Sequence, residues 1–170
     1  MYKEIIDFIK SLVIATIAAI LIITFVFQTV SVDKTSMYPT LKPNDRLILE
    51  KVTYYFSKPK RGDIIVFKYP KDTREKFIKR VIGIPGDKIK IENGILYING
   101  EKQDEKYIKE EMTGDFAETT VPEDSIFAMG DNRNNSMDSR DDNVGFIPYK
   151  LIIGKAVFRL YPFNSIGRIE

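Results

Sequence analysis

Histidine and cysteine are both missing from the 170 residues of this chain. Without cysteine there are no disulfides, no thiolate zinc sites and no cysteine nucleophile. The redox compartment stays open, because a cysteine-free chain is compatible with any. Without histidine the commonest metal ligand and the usual general base are gone, and a Ser-His-Asp triad is excluded. A nucleophilic serine would need another base, and lysine can serve if its pKa is lowered. Only carboxylate sites for Ca²⁺ or Mg²⁺ would remain for a metal. Strong charge of either sign is lacking too. The 26 basic and 24 acidic residues leave a net +2, which gives no reason to expect nucleic acid as a partner. There is no repeat of 20–50 residues and no low-complexity tract.

Charge is absent altogether from residues 11–32, and residues 12–27 hold neither proline nor glycine. A membrane-spanning helix needs about 20 mostly apolar residues, so this run predicts a single N-terminal anchor. A cleavable secretory signal is the rival reading. The run exceeds an apolar signal core of about 7–15 residues, and no small-x-small site closes it cleanly. Lys3 and Lys10 before the run are offset by Glu4 and Asp7, while Lys34, Lys42, Arg46 and Lys51 follow it. Long domains translocate largely regardless of charge, so composition leaves the topology open. The expected division is a stub and anchor over 1–32 and a β-rich domain over 33–170, with 88–125 as a hairpin or ribbon insertion.

Past the anchor the texture changes to short β-type runs. Residues 47–49, 63–67 and 77–83 read as strands. Residues 88–92 alternate with period 2 and join 95–98 through Asn93-Gly94, a strong hairpin signal. Asn99-Gly100 opens a second turn. Residues 101–124 are polar and read as an exposed ribbon or loop, and 125–129 and 152–160 complete the strand set. The expected fold is mainly β, an antiparallel sheet or barrel-like catalytic domain on one transmembrane helix. Tyr54-Tyr55-Phe56 and Tyr161-Pro162-Phe163 suit a headgroup interface or, equally, the core.

Ser36 lies in Ser36-Met37-Tyr38-Pro39-Thr40-Leu41, a few residues past the anchor. Alone it reads as a turn serine, and Lys79 alone as a solvated strand lysine. Together they suggest a nucleophile and its base. Strand alternation puts Phe77, Lys79 and Val81 on one face, so Lys79 would sit between apolar neighbours. Desolvation disfavours its ammonium. Lowering a lysine from about 10.4 to about 7–8 costs roughly 3–5 kcal/mol, so burial of Lys79 is a demand of this reading. Arg80, on the opposite face, is free to form a structural pair. Gly83-Ile84-Pro85-Gly86-Asp87 reads as a turn.

Residues 130–140 form a third constellation, Gly130-Asp131-Asn132-Arg133-Asn134-Asn135-Ser136-Met137-Asp138-Ser139-Arg140. Its Asn and Asp favour side-chain-to-backbone turns. A calcium loop is disfavoured, because Arg133 and Ser136 fall where a ligand and the glycine would be needed. Asp138 and Arg140, two apart, share a face if extended and could pair bidentately.

The segments at 36–41, 61–67, 79–87 and 130–140, in this order behind an anchor, resemble the boxes of type I (bacterial, Ser-Lys) signal peptidases. The short stretch between Asp87 and Gly130 resembles the compact Gram-positive members. The resemblance implies Ser36 as nucleophile, Lys79 as general base, Ser136 orienting the Lys79 amine, and Asp138 and Arg140 as a supporting ion pair. It implies signal peptides of exported preproteins as substrates, cut after small-x-small (Ala-x-Ala) sites. It also implies no cofactor or metal, and a monomer in the cytoplasmic membrane with the catalytic domain outside. Val32, Asp33, Met37 and Ile78 are the expected substrate-groove residues. One departure stands out: Lys34 occupies the place, two before the nucleophile, where the family commonly carries serine or glycine, so the second oxyanion donor is open, with the Lys34 ammonium or a Thr35 group able to substitute. A self-cleaving repressor of the Ser-Lys type is one rival. A membrane-anchored, non-catalytic β domain that binds secreted chains is the other.

Overall fold

The computed structural model describes residues 2–169. A single helix, α1 (Tyr2–Val26), is followed by twelve strands: β1 (Phe27–Ser31), β2 (Arg46–Glu50), β3 (Ile64–Tyr69), β4 (Asp72–Gly83), β5 (Lys88–Glu92), β6 (Ile95–Ile98), β7 (Glu101–Lys102), β8 (Phe116–Thr120), β9 (Ser125–Met129), β10 (Ile147–Pro148), β11 (Ile152–Tyr161) and β12 (Gly167–Arg168). One helical turn, α2 (Thr53–Phe56), follows β2.

α1 stands clear of the β domain, and none of its described residues is buried by it. Its hydroxyls are satisfied within the helix: Ser11, Thr16 and Thr24 donate to the carbonyls of Asp7, Leu12 and Ile20. The serine and threonine hydroxyls of the helix from Ser11 to Thr24 therefore need no water in a bilayer. The helix ends at Val26, earlier than the apolar run suggests. Residues 27–31, which hydropathy groups with the anchor, form β1 and pair antiparallel with β2, Phe27 opposite Glu50 and Ser31 opposite Arg46. Gln28, Thr29 and Ser31 make this stretch more polar than the helix before it, and a remote partner strand decides its state. Lys51 closes the helix end, its N–H donating to Val26 O at 2.8 Å and its ammonium to Thr24 O at 3.2 Å.

The strands form two antiparallel sheets. The larger runs β1-β2-β11-β3-β4-β9-β10, with β12 beside β11, and the smaller runs β7-β6-β5-β8. The Asn93-Gly94 hairpin forms as expected, with Ile89 opposite Ile98 and Glu92 opposite Ile95. Both turn residues take positive φ, 52° and 74°, as a two-residue hairpin turn requires. Within 101–124, expected to be ribbon or loop, Phe116–Thr120 joins the smaller sheet as β8. Three apolar clusters hold the domain. One joins the Ser36 segment to β2 and β3 (Val32, Met37, Leu41, Leu47, Leu49, Ile64, Val66), and one lies between β3, β4 and β9 (Ile65, Phe67, Phe77, Val81, Ile126, Ala128). The third, centred on Ile89, Ile91, Leu96 and Phe127, fills the smaller sheet. Of the two aromatic triplets, Tyr54 turns inward and donates to Asp63 at 2.9 Å, whereas Tyr55, Phe56 and Phe163 are exposed by 79–89%.

Arg133 ties the 130–140 loop to the segment that follows β7. It is fully buried and grips Glu105 with two hydrogen bonds of 2.5 and 2.6 Å, while its Nε donates to Gly130 O at 3.0 Å. Arg133→Ala leaves the Glu105 carboxylate buried without its cation. The expected loss is about 3–5 kcal/mol, read as a lower midpoint in chemical denaturation of the full chain.

Candidate active site

Ser36 sits in a turn anchored from below by apolar contacts. Met37 and Leu41 are fully buried. Tyr38 N–H donates to Thr35 O at 3.0 Å and Leu41 N–H to Met37 O at 2.9 Å, and the Tyr38-Pro39 bond is cis. The 130–140 loop clamps the same turn: Asn132 N–H donates to Ser36 O at 3.0 Å, and its side-chain amide to Thr35 O at 3.1 Å. The Ser36 N–H itself makes no hydrogen bond to another described residue.

Lys79 comes to Ser36 from β4. The strand faces alternate as expected: Phe77 and Val81 pack into the cluster with Ile65 and Phe67, and Lys79 lies between them, only 4% exposed. Its Nζ donates to Ser36 Oγ at 2.7 Å. Burial pushes the Lys79 amine down from its ordinary 10.5 to about 8, with Asp138 drawing it up and Lys34 pushing it further down. A buried lysine at that value, bonded to a serine hydroxyl, has the geometry and the protonation that a nucleophile and its base require.

Behind the pair lie two ion pairs. Asp138 and Arg140 meet bidentately, both bonds 2.8 Å, and Asp138 also accepts the Gly130 N–H at 3.0 Å. Burial alone would raise the Asp138 carboxyl, but Arg140 and the Gly130 N–H outweigh it and hold it below the usual carboxylate range. Arg80, on the other face of β4, grips Asp131 at 2.8 and 2.9 Å. Ser136, expected on the Lys79 amine, is half-buried, and its Oγ, shielded from solvent, lies beside the Asp138 carboxylate and helps to hold its pKa down. It faces Gly130 instead: a Cβ on Gly130 would collide with Ser136 Oγ and with Ser36 O. The sequence reading passed over Gly130 and Asn132 as part of a turn-rich loop, because a need for space and a clamp across about 95 residues of chain leave no local pattern.

A groove of about 760 Å³ opens onto Ser36 Oγ, with residues 28–36 on one bank and 76–79 on the other, and Val66, Asn135 and Met137 between. Of the four expected groove residues, Val32, Asp33 and Ile78 line it. Met37 does not. It points into the core beneath the turn, where it anchors Ser36, so the structure moves it from substrate contact to packing. Both banks are open strand edges. β1 ends the larger sheet, and β9 pairs with β4 only from Arg80 onward. Among the described residues no three carboxylates gather as a metal site.

Residues 5–161 match the family described as Signal peptidase, peptidase S26. Signal peptidase I of Leptolyngbya laminosa is 42% identical over 169 residues, 95% of this chain and 82% of that protein. Signal peptidase I S of Bacillus subtilis strain 168 is 39% identical, over 98% of this chain and 94% of its own length. The crystal structure of a signal peptidase I from Enterococcus faecalis V583 superposes with a TM-score of 0.52 at 35% identity. It covers 58% of this chain and 97% of that one.

Proposed function

The chain belongs to the signal peptidase family, peptidase S26, and on that premise we propose that it removes signal peptides from exported preproteins with Ser36 as nucleophile and Lys79 as general base. The observation that carries this reading is the 2.7 Å contact between the two side chains on a lysine whose burial favours the free amine. In the proposed reaction neutral Lys79 takes the Ser36 proton as Oγ bonds to the scissile carbonyl carbon. The Ser36 N–H, free of other partners, donates to the oxyanion. The lysine ammonium then gives its proton to the leaving amine as the peptide bond breaks. Water, deprotonated by the same lysine, releases the acyl group and restores Ser36. Asp138 and Arg140 are the supporting pair behind the lysine in this reading. Ser136 is the candidate to orient the amine, its solvent-shielded hydroxyl lying beside Asp138.

The groove favours an extended peptide, because both banks offer unpaired strand edges to which a strand can add. Val32, Asp33 and Ile78 would shape its pockets, and small residues before the cut would suit a path between closely set backbones. The anchor fits the same picture. β1 follows α1 directly and leads within five residues to the Ser36 turn, so the nucleophile would lie near the membrane surface, on the extracytoplasmic side of the cytoplasmic membrane. Exposed Tyr55 and Phe56, beside the end of α1, would rest at the headgroups.

The test is cleavage of a preprotein carrying an Ala-x-Ala site by the full chain in detergent, with products read by mass spectrometry. A single cut after the last alanine is expected, and Ser36→Ala should lower its rate by about 10⁴-fold or more. A Ser36→Ala variant that still cuts at the wild-type rate would sink the assignment.

A further inference from the structure

Lys34 stands two residues before Ser36 and lines the same groove. Its Nζ lies 5.4 Å from the centroid of the Phe77 ring, and Lys79 Nζ lies 5.4 Å from that same centroid. Tyr69 stacks on Phe77 with centroids 4.8 Å apart and planes 13° from parallel, so one ring is shared by a stacked aromatic and two cations. The ring attracts each of them, but they repel each other.

The other charges facing Lys79 come from the 130–140 loop, and they are matched. Asp138 is bound bidentately by Arg140, and Asp131 by Arg80. Asp33 lines the groove without pairing to Lys34, and Lys76, on the strand of Lys79 itself, adds one more cation to the rim. Among the described residues the Lys34 ammonium has no ion-pair partner, so its charge is not offset.

We propose that Lys34 is a positioning residue for this reaction: its ammonium, held on the Phe77 face beside Lys79, disfavours a second positive charge there and so keeps Lys79 as the free amine. The proposal rests on the reading of Lys79 as general base. The ordering of the electrostatic influences on Lys79 agrees. After burial and Asp138, Lys34 has the next largest effect, ahead of Asp131 and Arg140, and it acts downward.

The experiment compares wild type, Lys34→Gln and Lys34→Arg by two readouts: the pH profile of preprotein cleavage, and the pH dependence of reductive methylation at Lys79, followed by peptide mapping. Lys34→Gln is expected to move the acidic limb of the cleavage profile upward by about 0.5–1 pH unit. The rate then falls about three- to tenfold on the acid side, and the deficit shrinks as pH rises. The methylation midpoint of Lys79 should rise by the same amount, and Lys34→Arg should keep the wild-type limb. A limb that does not move overturns the proposal. So does a loss of equal factor at every pH, which would make Lys34 a contact to substrate or oxyanion instead. If the wild type cuts nothing while the methylation midpoint still shifts, the base reading fails and the coupling of Lys34 to Lys79 stands.

Discussion

Lys79→Met is expected to abolish cleavage and, at neutral pH, to make the fold more stable. The loss of activity follows from removing the only group among the described residues that is bonded to Ser36 Oγ and should reach about 10⁴-fold or more. Lys79→Arg should not restore it, because a guanidinium does not release its proton near neutrality. The gain in stability follows from the depressed amine. In the folded chain Lys79 gives up its proton at about 8 rather than 10.5, so below pH 8 the fold carries an ammonium that it disfavours relative to the unfolded chain. At 1.36 kcal/mol per pH unit that penalty is about 3 kcal/mol. Between pH 8 and 10.5 the unfolded chain binds more protons than the folded one, so wild-type stability should climb with pH across that window. The methionine variant, with nothing to titrate there, lacks that climb. A thioether of similar length also keeps its contact with the Phe77 ring. Thermal melts of the full chain in detergent should show the variant about 5–10 °C above wild type at pH 7, with the gap closing toward pH 10.5. A variant that melts below wild type at pH 7 would mean that the buried ammonium is not costly, and the case for Lys79 as a ready base would weaken with it.

The same titration sets the activity profile. Cleavage should rise with pH through about 8 as Lys79 loses its proton. Stability also falls toward the acid end, through a different group. Asp138, held below the usual carboxylate range chiefly by Arg140 against the effect of its burial, contributes stability above its unfolded pKa. That contribution is lost as pH falls through the lower, folded value.

How much of this could be read from the sequence depends on the range over which each feature is determined. The hairpin at 88–98 was legible because Asn93-Gly94 carries its own backbone preference. The face shared by Phe77, Lys79 and Val81 was legible because strand alternation is strict. The pairing of Asp138 with Arg140 was legible from a spacing of two. Features set through space were not. The apolar run passes from helix to strand at Phe27 because Arg46–Glu50 waits to pair with it, and hydropathy does not register a partner. Met37 turns inward because the Ser36 turn needs an anchor, and a residue beside a nucleophile carries no mark of which way it faces. Lys34 and Lys79 both reach the Phe77 ring although 43 residues separate Lys34 from it, and no motif links them.

Gly130→Ala is expected to cost as much activity as a change in the machinery itself, although Gly130 has no side chain to offer. Its backbone is not in the positive-φ region, so the demand is for space alone. An added Cβ would collide with Ser36 O and with Ser136 Oγ. Ser136 could turn aside, but Ser36 O belongs to the backbone and is fixed by the Asn132 N–H at 3.0 Å. Gly130 is equally fixed, its N–H on Asp138 and its carbonyl on Arg133 Nε, both at 3.0 Å. The strain therefore falls on the position of the Ser36 turn relative to Lys79. A misplacement of about 1 Å at a reacting pair is enough for a loss of about 10²-fold. Gly167→Ala is the matching control, since a Cβ there meets nothing within 4 Å and the residue is not at positive φ. The expected outcome is a Gly130→Ala chain with wild-type circular dichroism, a cleavage rate lower by about 10²-fold or more, and a Gly167→Ala chain indistinguishable from wild type. Full activity in Gly130→Ala would mean that the 130–140 loop yields easily. The clamp from that loop would then not be what holds Ser36 at 2.7 Å from its base.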